Sequence, residues 1–166
     1  MIPELRRIET LLSHIMHLHL SNTTKDEGAE AYSGYNFRLG PLNFKFRKAK
    51  ITPKKKGQFV TLWKRNAQNI TVPFAEIDEF DFYIIAAEEN EKYGFFVFPR
   101  RELINRHILS TSSKDGKRGF RVYPSWTTTD NNQASTTQLW QKHYFIDFKK
   151  EIKTNMERLK IVLTEK

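Results

Sequence analysis

Residues Phe44 to Arg65 read FKFRKAKITPKKKGQFVTLWKR. Two runs rich in β-branched and aromatic residues flank a tip that contains Pro53, three consecutive lysines and Gly57. Proline and glycine around a charged tip are typical of a turn between two strands. The stretch therefore predicts a single β-hairpin over residues 44–65, and we take this hairpin as the centre of the fold.

The predicted hairpin is strongly basic. It contains nine lysine or arginine residues and no aspartate or glutamate, and the wider window 31–75 contains ten such bases and again no acid. A solvated protein surface normally carries both signs, because unlike charges reduce self-repulsion. A long block of one sign therefore predicts an external anionic partner, and phosphate is the most common one.

A second basic strand is predicted over residues 117–126, where basic and aromatic residues interleave as they do on many nucleic-acid surfaces. The residues expected to contact phosphate are Lys45, Arg47, Lys48, Lys50, Lys54, Lys55, Lys56, Lys64, Arg118 and Arg121. Trp63, Tyr123 and Trp126 are candidates for stacking on bases, although packing in the core is the more common role of such side chains. The expected partner is nucleic acid, with DNA favoured over RNA.

The composition predicts one domain spanning residues 1–166. A chain of 166 residues that is 39% hydrophobic and 13% aromatic can form a core and is not typical of disorder. The absence of cysteine excludes disulfides, thiolate metal sites and a thiol nucleophile, and it fits a reducing cytoplasm. No apolar run approaches the roughly 18 residues of a spanning helix, and the first residues lack a signal-peptide pattern. We therefore expect a cytoplasmic protein without membrane insertion.

The net charge limits the classes of partner that the chain can be expected to bind. A formal charge of +9 leaves three classes of partner, namely nucleic acid, an anionic membrane surface or an acidic protein. The chain carries no internal repeat and no heptad run, so nothing in the pattern indicates an oligomeric state.

Hydrophobic periodicity predicts a mixed α+β fold. The predicted helices are 2–20, 99–106, 133–148 and 152–162. The run from Phe82 to Ala87 is apolar throughout, which indicates a buried central strand, and 93–98 is its expected partner. Residues 21–28 are polar and are expected to form a loop. These elements predict a central, twisted, mainly antiparallel sheet of about five to six strands flanked by an N-terminal helix and two C-terminal helices.

Four blocks of residues form a recognisable combination. They are AKITP at 49–53 leading into GQFVTLWKR at 57–65, VFP at 97–99, GKRGFRVYP at 116–124 with Trp126, and the pairs QA, TQ, WQ and YF within 133–145. This combination closely resembles the MepB-like family of bacterial proteins over about residues 30–148. It departs from the family pattern at Ser125 and Thr127, where proline and an acid are usual.

The resemblance implies a cytoplasmic bacterial protein with a restriction-endonuclease-like core and a role with nucleic acid. The family takes its name from a gene beside a multidrug efflux pump and its repressor. That neighbourhood implies a further alternative, a small-molecule or protein partner linked to drug resistance.

A metal-dependent nuclease is the alternative that stays open beside a binding protein. Restriction-like nucleases need an acid on a central strand and an acid-x-lysine triplet on its neighbour, so that a metal ion can activate water. The acid-x-lysine pairs at 115/117, 147/149 and 151/153 lie in a predicted turn and on a predicted helix, where that chemistry is not expected. A degenerate site would have to use Glu30, Asp78, Asp81 and either Lys50 or Lys48, with Mg²⁺ as its cofactor.

Apart from that alternative, we expect no cofactor and no metal centre. His14, His17 and His19 crowd the end of the first helix, but zinc needs three or four ligands and no further cluster lies nearby in the sequence. The acids between Glu76 and Asp81 are most simply explained as internal partners of the basic block.

Overall fold

The computed structural model describes residues 1–166, which form four α-helices and eleven strands. The helices are α1 (Pro3–Met16), α2 (Arg100–Asn105), α3 (Asn132–Gln141) and α4 (Ile152–Leu163). The strands are β1 (Leu20–Lys25), β2 (Tyr35–Leu39), β3 (Leu42–Lys48), β4 (Lys50–Thr52), β5 (Lys55–Thr61), β6 (Trp63–Arg65), β7 (Thr71–Pro73), β8 (Phe82–Glu89), β9 (Lys92–Pro99), β10 (Gly119–Val122) and β11 (Phe145–Asp147). Two short 3₁₀ helices cover Glu30–Tyr32 and Lys142–Tyr144.

The main sheet has six strands in the order β1-β2-β3-β8-β9-β11. β3 and β8 are parallel, and the other neighbouring strands are antiparallel. The predicted central strand is β8, whose first six residues are all buried. These observations confirm the predicted α+β fold, the mainly antiparallel sheet, the N-terminal helix and the two C-terminal helices.

A second sheet of three strands, in the order β10-β5-β4, packs against the main sheet. One hydrophobic cluster of 34 buried residues includes Leu5 from α1, Val60 from β5, Phe120 from β10 and Leu159 from α4. Because this cluster is continuous, both sheets and the terminal helices share a single core. None of the four helices is long and apolar enough to cross a membrane.

The single hairpin predicted over residues 44–65 is wrong in its first half and at its end, where Trp63–Arg65 pairs with β7 in a separate two-stranded sheet. Leu42–Lys48 lies in the main sheet between β2 and β8, and only Lys50–Thr52 pairs with β5. Phe44 explains this, because its ring stacks on Phe37 of β2 at 5.1 Å and on Phe82 of β8 at 5.3 Å. The aromatic ladder holds β3 in the main sheet, and the chain changes sheets at Ala49. The turn at Pro53 is correctly predicted, so the true hairpin is β4–β5.

Two further predictions of secondary structure are wrong. The predicted loop 21–28 contains most of β1, an edge strand whose exposed polar residues lack the alternation that indicates a strand. The helix predicted over 133–148 ends at Gln141, and Phe145 then pairs with Phe96 of β9. This strand, β11, forms because it pairs with a distant segment of the chain. It is only three residues long, so it leaves no periodic pattern in the sequence.

Candidate functional site

A buried ion cluster around Asp26 contains two of the three cations of β3, Lys45 and Arg47. The Arg47 side chain is 1% exposed, and its Nη2 donates to Asp26 Oδ2 over 2.9 Å. Its Nη1 donates to the carbonyl and hydroxyl oxygens of Thr61 over 2.8 and 2.9 Å. Lys45 Nζ lies 3.5 Å from the same carboxylate, and burial lowers the pKa of Lys45 despite the opposing effect of Asp26. Both cations are internal groups that tie β3 to β5 and to the loop after β1.

Lys48 and Lys64 are also paired inside the protein. Lys48 Nζ lies 2.6 Å from a carboxylate oxygen of Glu4 on α1 and 3.0 Å from one of Glu88 on β8. Lys64 Nζ lies 2.6 Å from Asp78 Oδ1. The internal acids that the sequence placed beside the basic block therefore do pair with it at Asp78.

The remaining predicted residues of this region are dispersed. The Lys50 ammonium lies 4.7 Å from the centre of the Tyr32 ring, and Trp63 carries the Arg65 guanidinium 5.5 Å above its ring. Arg118 is exposed, and its Nε donates to the carbonyl oxygen of Thr71 over 3.1 Å. These three predicted contacts do not line a common cavity.

The other cations converge on a cleft of about 790 Å³ between the β4–β5 hairpin, β10 and α3, which we call the cationic cleft. Six cationic side chains line it, namely Lys54, Lys55, Lys56, Arg106, Lys117 and Arg121. Arg106 forms a salt bridge with Glu102 at 2.7 Å, whereas the other five form none. Asp130 is the only carboxylate among the lining residues. Positive charge in this cleft is therefore largely uncompensated by the fold.

Arg121 holds the lysine tip in place from the neighbouring strand. Its Nη1 donates to the carbonyl oxygen of Lys56 over 3.1 Å, and its Nη2 donates to the hydroxyl of Thr52. Gly57 has φ +74°, and a Cβ added there would lie 2.7 Å from the Tyr123 ring. The tip is thus fitted closely to β10. The acceptors of Arg121 are neutral groups, so these hydrogen bonds do not offset its positive charge.

Helix α3 closes the cleft on the opposite side. The side chain of Asn131 caps its first turn by accepting from the N–H of Ala134 over 2.8 Å. Gln141 is fully buried, and its amide binds the edge of β10 by accepting from Tyr123 N over 2.8 Å and donating to Arg121 O over 2.9 Å. Residues from both ends of α3 therefore line the cleft.

A second cleft of about 560 Å³ adjoins the first, since the two share Lys54, Lys55, Lys56 and Asp130. We call it the tryptophan cleft, because Trp126 lines it together with Gln58, Thr127 and Thr128. Of the three predicted stacking candidates, Tyr123 lines the cationic cleft and Trp126 lines the tryptophan cleft, whereas Trp63 lines neither.

The carboxylates of the suggested nuclease site have separate partners. Glu30 accepts from a backbone N–H of its own loop, Asp78 binds Lys64, and Asp81 accepts from the N–H of Asn43 over 2.8 Å. No group of three or more His, Asp or Glu side chains is arranged to hold a metal ion. The three carboxylates therefore do not converge in the way that a restriction-like site requires.

Arg106 and Lys117 line the cationic cleft but are not among the residues singled out from the sequence. Lys117 had a usable signal, since it begins the basic run that continues through Arg118 and Arg121. Arg106 had none, because it ends a short helix and reaches the cleft only through the packing of its guanidinium 4.8 Å over Trp140.

Comparison with known proteins finds a family model and solved structures that are similar to this chain. The model of the MepB-like family matches residues 26–147. The crystal structure of MepB superposes with a TM-score of 0.79 at 31% identity, over 91% of this chain and 100% of that chain. The structure of a bacterial homing endonuclease gives a TM-score of 0.45 at 18% identity, over 82% of this chain and 84% of that chain. No curated protein sequence matches the chain.

Proposed function

We propose that this chain, which belongs to the MepB-like family, binds nucleic acid through phosphate contacts in the cationic cleft. The observation that supports the proposal is the set of five cleft cations that no carboxylate neutralises. Cations that a fold does not pair internally favour an external polyanion, and release of its counterions drives binding.

The proposed contact surface differs from the full basic stretch of the sequence. Lys54, Lys55 and Lys56 are exposed at the hairpin tip, and Arg121 and Lys117 extend the positive charge along β10. Ammonium groups act as mobile point charges toward phosphate, whereas a guanidinium offers a fixed fork of donors. A tip of three lysines beside one anchored arginine therefore suits a backbone whose phosphates vary in position.

A salt titration tests the proposal. Fluorescence anisotropy would measure binding to labelled single- and double-stranded oligonucleotides of DNA and RNA over a series of NaCl concentrations. With about five phosphates neutralised, the plot of log K against log [NaCl] should have a slope of about −3 to −5. Affinity that does not depend on salt would contradict the proposal.

A pair of triple variants locates the contact. Replacing Lys54, Lys55 and Lys56 by glutamine should weaken binding and reduce the magnitude of the slope by about 2 to 3. The matched control replaces Lys149, Lys150 and Lys153, which are exposed, form no salt bridge and line neither cleft. Both variants remove the same charge, so an equal loss of affinity in the two would place the binding outside the cleft.

A further inference from the structure

We infer that the nucleic acid is an unpaired strand that passes over the lysine tip, and that the tryptophan cleft recognises the edge of one of its bases. This inference rests on the proposed function. It adds the strand state of the ligand and a second binding site.

The dimensions of the two clefts favour an unpaired strand. Their volumes of about 790 and 560 Å³ fall in the range of roughly 300–1,000 Å³ that is typical of pockets for small ligands. A cavity of that size accepts a few unstacked nucleotides but not a duplex, which a protein reads by inserting its own elements into a groove. Because Lys54, Lys55 and Lys56 line both cavities, one strand can occupy both while its phosphates follow the tip.

Aromatic side chains in the cationic cleft suit the flat faces of bases. Phe59, Tyr123 and Trp140 line it and are each partly exposed. Stacking on such rings tolerates any base, since every base has a π-face, and it requires that the base be unstacked from its own neighbours. This cleft therefore supplies affinity for unpaired bases without selecting among them.

The tryptophan cleft has the hydrogen-bonding groups that stacking lacks. Gln58 is only 2% exposed, and its Nε2 donates to the carbonyl oxygen of Glu88 over 3.1 Å, which fixes the amide orientation. Its Oε1 has no hydrogen-bond partner, and neither has the buried Nε1–H of Trp126. A buried polar atom without a partner is uncommon in folded proteins, and it calls for a water molecule, an ion or a ligand as its partner.

One free acceptor and one free donor match the chemistry of a base. The Watson–Crick edge of an unpaired base carries a donor next to an acceptor, and proteins that bind single strands use that edge. Thr127 and Thr128 add hydroxyl groups to the same cleft. Neither Gln58 nor Trp126 carries a charge, so these two side chains would contribute preference among bases, whereas the lysines that line the same cleft would contribute the salt-dependent affinity.

The experiment compares strands that share a backbone and differ in their bases. Anisotropy titrations would use labelled single strands of one length, made as four homopolymers and as an abasic strand, with an unlabelled duplex as competitor. The native chain should bind the best homopolymer at least about tenfold more tightly than the abasic strand or the duplex. Trp126→Phe, which removes the indole N–H and keeps a ring, should reduce the preference among homopolymers about threefold and leave abasic binding unchanged.

Trp63→Phe is the matched control, because Trp63 lines neither cleft and its indole nitrogen is not among the buried atoms without a partner. It should leave the preference among homopolymers as it is in the native chain. If Trp126→Phe lowers the melting temperature of the protein too far for titration, a crosslinking experiment on the native chain tests the same inference. A single strand that contains 4-thiothymidine would be crosslinked to the protein, and the crosslinked residues would be mapped by mass spectrometry. Crosslinks at residues 126–128 support the inference, and crosslinks found only elsewhere overturn it.

Each remaining outcome separates this inference from the proposed function. Equal affinity for abasic and base-containing strands would overturn base recognition while phosphate binding stands. Equal affinity for duplex and single strand would overturn the unpaired-strand ligand and again leave phosphate binding intact. Absence of binding to any of these oligonucleotides would overturn both.

Discussion

Arg121 on β10 donates from Nη1 to the backbone carbonyl oxygen of Lys56, 3.1 Å away at the tip of the β4–β5 hairpin. The two residues lie 65 positions apart in the chain, so the contact joins segments that the fold alone brings together. A second bond from the same guanidinium reaches the Thr52 hydroxyl on the other strand of the hairpin. One side chain thus orients the lysine tip and adds its own charge to the cationic cleft.

Arg121→Lys should weaken nucleic-acid binding although it conserves charge. Lysine cannot reproduce the planar fork that spans Lys56 and Thr52, so the tip would lose its anchor. We expect affinity for a single-stranded oligonucleotide to fall about threefold to tenfold, which corresponds to about 0.7–1.4 kcal/mol. The salt slope should stay unchanged because the number of cations is the same.

The control for this substitution is Arg118→Lys. Arg118 is exposed, makes one hydrogen bond to Thr71 and lines neither cleft, although the basic pattern of the sequence ranked it with Arg121. Anisotropy titrations at one salt concentration would compare the two variants. Similar losses in both would show that the anchor at Lys56 has no special role.

Gly57→Ala should destabilise the protein more than Gly40→Ala does. Both glycines have positive φ, +74° and +57°, so both substitutions carry the cost of about 1–2 kcal/mol for a left-handed residue. A Cβ at Gly57 would also lie 2.8 Å from the backbone oxygen of Val122, whereas one at Gly40 meets only the movable end of Leu18. The extra cost should be about 1 kcal/mol or more in urea unfolding. Equal costs would mean that the hairpin is not fitted tightly to β10.

The apolar pattern of the sequence was sufficient for β8 and β9 at the centre of the main sheet, but not for β1, β3 or β11. Phe82–Ala87 is apolar at every position, and a strand of that kind has to lie at the centre of a sheet. Arg47 shows where such reasoning ends. A charged residue that alternates with Phe44 and Phe46 along a strand predicts an exposed face. This guanidinium is nevertheless buried, because Asp26, which precedes it by 21 positions, folds onto it.

In the candidate site too, features set by neighbouring residues could be predicted from the sequence, whereas features set by contacts between distant segments could not. The exposure of Lys54, Lys55 and Lys56 could be predicted, since Pro53 and Gly57 indicate a turn locally, although only Lys54 lies in the turn and the other two lysines begin β5. Lys45 and Lys48 have the same charge and lie in the same acid-free window, but their acids come from distant segments. Charge counts along a chain therefore identify a basic region, and only the fold decides which of its cations remain free.

Asp26→Asn should cost about 3–5 kcal/mol of unfolding free energy, because it leaves the buried Arg47 without its counter-charge. The side chain of Arg47 is 1% exposed, and that of Asp26 is 11% exposed, so water cannot replace the lost interaction. Urea unfolding followed by tryptophan fluorescence measures the change. Glu27→Gln, an exposed neighbouring acid, is the control and should change stability by less than about 0.5 kcal/mol. A loss of that small size in Asp26→Asn would mean that the ion pair does not hold β3 in place.

The pair formed by Glu4 and Lys48 should stabilise the fold only within a defined pH window. Burial acts to raise the pKa of Glu4, but the hydrogen bond from Lys48 and the other nearby donors and cations hold this pKa below its ordinary value of 4.5. The hydrogen bond to Glu4 raises the pKa of Lys48 above its ordinary value of 10.5. A lowered acid pKa stabilises the fold above the unfolded value and loses that effect as pH falls through the folded one. A raised lysine pKa stabilises it below 10.5 and loses that effect at higher pH.

Glu4→Gln should therefore lower the free energy of unfolding at pH 7 by about 0.5–1 kcal/mol, as expected for a partly exposed pair. At about pH 3.5 the difference from the native chain should shrink toward zero, because the carboxyl is then increasingly protonated. Urea unfolding at both pH values measures the two differences. The control is Glu9→Gln, because Glu9 lies on the same helix and forms no salt bridge in the native chain. A difference for Glu4→Gln that is equal at both pH values would show that the charge of Glu4 does not attach α1 to the sheet.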